Sequence, residues 1–145
     1  VTFRDMTGTI CGKAFDDENR VLLRMTIPGA PRTKKNSAVV GEKQDGSPVV
    51  LPSAAYRQYA RDCLKMMPRA YKPKFTQPMN MCCLYCMPTK RRVDLVNLLE
   101  ATCDIFVAAG ILFDDHCGIV AAHDGSRVLY DKDKPRVEIT LEAMT

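Results

Sequence analysis

The sequence predicts an α+β fold: a single domain with a mixed β-sheet and two main helices packed on one of its faces. Three observations carry this. Only two segments, 54–67 and 94–109, repeat apolar residues with helical period, whereas the other apolar runs are short and bounded by turn residues. The two helical segments are separated by 77–87, which reads as a mostly buried strand, so strands and helices are mixed along the chain. At 145 residues, with 46% hydrophobic and 26% charged side chains, the chain is the size of one domain and can bury a core without staples.

Each element has a local reason. Residues 20–27 (RVLLRMTI) are aliphatic and close on Pro28-Gly29, a strand followed by a turn. A loop over 30–37 carries Arg32, Lys34 and Lys35. Segments 38–43 and 48–51 flank Asp45-Gly46, a hairpin signal. Ser53 is placed to cap the helix over 54–67, which Pro68 ends. Within it Tyr56, Tyr59, Ala60, Cys63 and Met67 fall at core spacing, while Arg57, Arg61 and Lys65 form a basic stripe. Residues 88–92 make a basic turn into the helix over 94–109, which Gly110 stops. Ile111-Leu112-Phe113 leads to Asp114-Asp115-His116, and strands are expected over 118–123, near 128–130, and over 136–141. Residues 1–19 are expected to lie at the periphery of the domain.

Composition narrows the class. No apolar run approaches the roughly 20 residues that span a bilayer. Residues 1–20 carry Asp5, Asp16, Asp17 and Glu18 and lack an apolar core, so no signal peptide is expected there. A soluble cytoplasmic protein without a membrane partner is the expectation. Seven cysteines, an odd number, do not suggest a disulfide framework. Cys83 and Cys86 have C-x-x-C spacing, but on a strand they point to opposite faces, so buried thiols are expected rather than a zinc site.

Charge is segregated. The net charge is +4 overall, yet residues 30–93 hold 13 basic and three acidic side chains, and residues 94–145 hold four basic and 10 acidic ones. Residues 1–29 are balanced. A basic region suited to a polyanion, followed by a region presenting carboxylates, points toward nucleic acid.

The two regions meet in Lys90–Asp115, KRRVDLVNLLEATCDIFVAAGILFDD. Leu95, Leu98, Leu99, Thr102, Ile105, Phe106 and Ala109 form a wide apolar helix face, and Asp94, Asn97, Glu100 and Asp104 share the remaining sector. Glu100 and Asp104 are like charges at i, i+4, which destabilises a helix unless a divalent cation or a basic side chain from elsewhere compensates. The helix spans about 24 Å. An extended run from Gly110 to Asp115 covers up to about 17 Å. If that run doubles back, Asp114 and Asp115 come level with Glu100 and near Asp94, with Lys90, Arg91 and Arg92 at the edge. Such a carboxylate patch suits a hard cation such as Mg²⁺. Simpler roles stay open: Asp94 as a helix N-cap stapled by Val93 and Leu98, Asp114-Asp115 as a turn, His116 as a solvent-facing side chain.

A basic run, then D-L-x-N opening a helix, then G-x-x-x-D-D resembles the signature of the RusA family of Holliday junction resolvases. The resemblance extends loosely from Met25 to the C-terminus, through the 28–35 loop, Pro52–Tyr56 and residues 136–141. It implies a dimeric bacterial or phage (or prophage) endodeoxyribonuclease of DNA recombination and repair. Such an enzyme uses Mg²⁺, with Mn²⁺ as a substitute, to hydrolyse phosphodiesters in branched, four-way DNA. By resemblance Asp94 and Asp115 are metal-binding and catalytic acids, and Asp114 is their acidic neighbour. Two positions depart. The family commonly has a second acid where this chain has Val96, and a catalytic lysine where it has Glu100. Glu100, one turn beyond Val96, is placed to supply the missing acid as a catalytic and metal-binding residue. Lys34 or Lys35 is the candidate for the missing cation, and Lys34, Lys35, Lys90, Arg91 and Arg92 are the expected DNA contacts. The alternative is a divergent or non-catalytic binder, or a nuclease, of flaps and forks.

Overall fold

The computed structural model describes residues 2–3, 20–34 and 39–144. In chain order these form β1 (Thr2–Phe3), β2 (Val21–Pro28), β3 (Val39–Glu42), β4 (Pro48–Leu51), α1 (Ala54–Met66), β5 (Met79–Met87), α2 (Leu95–Ala108), β6 (Val120–Ala122), β7 (Arg127–Tyr130) and β8 (Arg136–Ala143). Six strands make one sheet in the order β1-β2-β8-β5-β6, with β7 also pairing β5, and β3 and β4 form a separate hairpin. The sheet is mixed: β2, β8 and β5 are antiparallel neighbours, whereas β6 and β7 run parallel to β5. The α+β class with two helices on a mixed sheet is thus what the chain adopts.

Period-2 alternation decides which side chains meet the helices. Met25 and Ile27 from β2, Met81, Cys83 and Tyr85 from β5, and Val137, Ile139 and Leu141 from β8 share one buried cluster with Cys63 and Met67 of the α1 region and Leu98, Leu99, Ile105 and Phe106 of α2. Both helices therefore cover the same sheet face. Inside that layer the Tyr85 hydroxyl lies 2.7 Å from Thr102 Oγ1, and the Thr102 hydroxyl donates to the Leu98 carbonyl at 3.0 Å, so these buried hydroxyls are satisfied.

Local signals act as expected at the element ends. Ser53 Oγ accepts from the Tyr56 N–H at 3.2 Å and caps α1. Gly46 takes φ +84° in the β3–β4 turn, and Gly110 takes φ +75° just past α2. Two features were not anticipated. The strand β1 pairs with β2. The strands β6 and β7 act as one interrupted strand on β5, separated by an irregular stretch that side chains satisfy. There Asn80 Oδ1 accepts from the Asp124 N–H at 2.7 Å and Asn80 Nδ2 donates to the Asp124 carbonyl at 3.1 Å. Ser126 Oγ accepts from the Cys83 N–H at 3.0 Å. These bonds replace the missing rungs of the ladder.

The C-x-x-C cysteines behave as strand alternation requires. Cys83 belongs to the helix-facing cluster and Cys86 to the opposite face, and both are free and buried. Cys63 and Cys103 are also free and buried, and Cys117 is free and exposed. Cys82 departs from the expectation of unpaired thiols, being disulfide-bonded. No helix among the described residues is long and apolar enough to cross a membrane.

Candidate active site

The site is organised by α2 and the segments on either side of it. Apolar residues bury one side of the helix, leaving Asp94, Val96 and Glu100 exposed on the other. Asp94 occupies the N-cap position, yet its side chain makes no capping bond. Its Oδ2 instead accepts from Asn97 Nδ2 at 3.2 Å. The carboxylate is therefore presented at the surface rather than spent on orphan N–H groups of the first turn.

The segment after α2 returns along the helix because its backbone is tied on two sides. The Ile111 N–H donates to the Phe106 carbonyl at 3.0 Å. The Phe75 N–H then donates to the Ile111 carbonyl at 3.0 Å, and the Phe113 N–H to the Phe75 carbonyl at 3.1 Å. Ile111 and Leu112 are fully buried, while Phe113 is 63% exposed. The acidic loop that follows stays within electrostatic range of Cys103 in the second half of α2. The thiol of Cys103, two turns before Gly110, is pushed up to about 12, first by burial and then by the negative charges of Asp115 and Glu100.

The two loop acids differ in their bonding. Asp114 Oδ1 accepts from the Asp115 N–H at 2.7 Å, so Asp114 shapes the turn. The Asp115 side chain is exposed and forms no ion pair among the described residues. His116 is exposed too, its Nδ1 accepting from the Gly118 N–H at 3.0 Å, which is the ordinary solvent-facing role. Among the described residues no three His, Cys, Asp or Glu side chains converge as a ready-made metal cage. Asp94 and Asp115 are hard oxygen donors not committed to cationic side chains there, which fits a cation that takes one or two protein carboxylates and keeps several waters.

Cations reach this edge from both sides. Lys34 forms an ion pair with Asp104 of α2, one turn beyond Glu100. The compensation that the Glu100–Asp104 repulsion calls for thus includes a lysine from the loop after β2, a contact that no local pattern could reveal. Lys35 lies outside the described residues. On the other side of Asp94, the basic turn divides. Lys90 stands over the Tyr130 ring, 5.2 Å from its centroid, a cation–π contact. Arg91 and Arg92 instead line a cleft of about 470 Å³, together with Arg32, Thr33, Ser53 and Thr89. Sequence places Arg32 in a basic loop, and its convergence with Arg91 and Arg92 comes from the tertiary fold. Of the α1 stripe, Arg61 donates to Gln58 Oε1 at 3.0 Å and does not line this cleft.

An uncompensated basic cleft beside exposed carboxylates is the arrangement of a protein that holds a polyanion against an acidic centre. Comparison with known sequences agrees. No curated protein matches the chain. The profile of one protein family, Endodeoxyribonuclease RusA, matches residues 28–142, from the last residue of β2 through nearly all of β8. The chain belongs to the RusA endodeoxyribonuclease family.

Proposed function

We propose that this protein is a Mg²⁺-dependent endodeoxyribonuclease that resolves four-way DNA junctions in recombination and repair, in a bacterial or phage-encoded setting in the cytoplasm. The observation that carries the reading is the family match over residues 28–142, on a chain that presents an exposed Asp94 directly after the Arg91–Val93 wall of an arginine-lined cleft and a second exposed acid at Asp115. Asp94 and Asp115 are the residues that would hold the metal, with Glu100 on the same edge as the further acid. When bound, Mg²⁺ (or Mn²⁺ in its place) activates water and neutralises charge developing on the phosphodiester. The protein's own part is positional. The basic turn fixes the strand by its phosphates, and the N-terminus of α2 offers Asp94 to the backbone so held. Asp114 locks the loop that presents Asp115.

The pairing of Lys34 with Asp104 bears on the family lysine that this chain lacks at Glu100. Lys34 is a cation that the fold delivers to that part of α2, and its ammonium is available to phosphate if Asp104 lets it go. A working dimer matches the two-fold symmetry of a junction with two equivalent strands to cut. Sedimentation with and without junction DNA tests it: a monomer making uncoupled nicks removes the dimer.

A second reading rests on Val96, which is 72% exposed where the family pattern has an acid. A chain short of that acid would bind branched DNA without cutting it, or cut flaps and forks instead. Matched junction, flap and linear duplex substrates, each incubated with Mg²⁺ or with EDTA, separate these. Mg²⁺-dependent paired nicks in the junction are expected. Tight binding without nicks gives the function to the second reading, and preferential cutting of flaps moves the substrate.

A further inference from the structure

The cleft between the loop after β2 and the basic turn is lined by three guanidinium groups and no carboxylate. Arg32, Arg91 and Arg92 border it, with the hydroxyl-bearing Thr33, Ser53 and Thr89. None of the three arginines pairs with an acid among the described residues, although acids satisfy Lys34 and Arg136 elsewhere in the chain. All three are exposed, so their charge is not compelled by packing. Like charges gathered without a counter-ion destabilise a fold unless a ligand completes them. The first turn of α1 enters the same wall through Ser53 and Ala55. Its orphan N–H groups add positive potential there. The volume falls within the roughly 300–1,000 Å³ range of ligand clefts.

We propose that this cleft seats one backbone phosphodiester of the bound DNA, with Arg32 as a phosphate-clamping residue alongside Arg91 and Arg92. The inference rests on the DNA-binding part of the proposed function and names the place where that binding is anchored. Guanidinium groups match a phosphate's oxygens by paired, charge-assisted bonds. Position follows from covalent reach. Arg92 and Asp94 are two residues apart, at most about 7 Å along the chain. One strand of a duplex carries a phosphate per roughly 3.4 Å of axis. With the reach of the two side chains added, the seated phosphate is within a few nucleotides of the one facing Asp94. Clamping there holds the strand without reading its bases.

The test couples one protein group to one phosphate. Junction DNA carrying a neutral methylphosphonate at single defined positions is bound in EDTA by the unsubstituted protein and by Arg32→Gln. Arg32 is exposed, so the variant keeps its fold, and Arg32→Lys serves as the charge-preserving control. One methylphosphonate position is expected to weaken the unsubstituted protein about tenfold and to have no further effect on Arg32→Gln. Arg32→Gln itself is expected to lower the log–log salt slope by about one unit. Full additivity at every position overturns the seat, even if junction cleavage persists. Because binding is read without metal, a protein that binds and never cuts fails the nuclease reading while leaving this test intact. Titration with inorganic phosphate distinguishes the other source of the same chemistry. Arg32-dependent phosphate binding without coupling to any DNA position makes the cleft a free-anion site and overturns the proposal.

Discussion

The basic cleft and the acidic edge of α2 lie on either side of Asp94, and they handle charge in opposite ways. At the edge, Asp104 is compensated by Lys34, Asp114 is used by its own loop, and Asp94 holds a neighbouring amide. In the cleft, Arg32, Arg91 and Arg92 have no such partners among the described residues. The difference teaches where a ligand contributes most. Nucleic acid supplies the charge that the cleft lacks, so the cleft should govern affinity. The edge leaves Asp94 and Asp115 without a cationic partner among the described residues, a charge that a metal rather than DNA would complete, so its acids should govern chemistry.

The largest expected effect breaks or confirms this division directly. Asp94→Asn and Asp115→Asn should each lower junction cleavage by at least about 100-fold, since even outer-shell partners of a metal site cost 10–100-fold when lost. DNA binding should change little, because neither carboxylate contributes attraction to phosphate. Single-turnover cleavage and metal-free binding measured on the same variants check both halves. Cleavage near the unsubstituted rate would remove that residue from the mechanism, and lost binding would erase the contrast between edge and cleft.

How much of this was legible in the sequence follows the range of each interaction. Ser53 before α1, Asp45-Gly46 in the hairpin and Gly110 after α2 are local devices whose physics is complete within a few residues, and the structure places them as expected. The sequence posed the acidic loop as a question of reach, and its link to α2 in the structure is the effect of Asp115 on Cys103. What alternation and spacing did not contain are the contacts between distant segments. Lys34 and Asp104 are 70 positions apart, and Arg32 joins Arg91 across a similar separation. Likewise β6 and β7 can share β5 only because Asn80 and Ser126 side chains fill the gap between them. The sequence left a simple cap open for Asp94 beside its metal-binding reading, and only the geometry shows its side chain turned away from capping.

A smaller effect sharpens the comparison by moving charge across it. Asp104→Asn should free Lys34 and make the edge behave more like the cleft. The pair is about one-third exposed on each side, so its loss should cost no more than about 1 kcal/mol of stability. The released ammonium should tighten DNA binding a few-fold and steepen the log–log salt slope by up to about one unit. Fluorescence anisotropy at several salt concentrations measures this. An unchanged slope would mean that Lys34 does not face the DNA, leaving the missing family cation to another residue.

The smallest expected effect uses a buried thiol to read the field of the acidic edge. Cys103 and Cys83 are both pushed up to about 12, and burial is the first cause for each. They differ in what comes next: Cys103 is raised further by Asp115 and Glu100, whereas no carboxylate acts on Cys83. Replacing Asp115 with asparagine removes a negative charge that opposes thiolate formation, so the Cys103 pKa should fall, whereas that of Cys83, which is raised by Cys103 rather than by a carboxylate, should not fall. The S–H stretching band, followed by Raman spectroscopy against pH with Cys103→Ala and Cys83→Ala for assignment, resolves the two. Linkage sets the sign for stability. Each thiol is raised above its unfolded value of 9.0, so its contribution is fully present below about pH 9 and is lost as pH rises toward 12. Each such thiol weakens folding by up to about tenfold per pH unit in that window. Asp115→Asn should therefore blunt the alkaline loss slightly at its upper end. Equal movement of both thiols would show a general loosening of the core, and no movement of Cys103 would place Asp115 away from α2, dissolving the acidic edge as a unit.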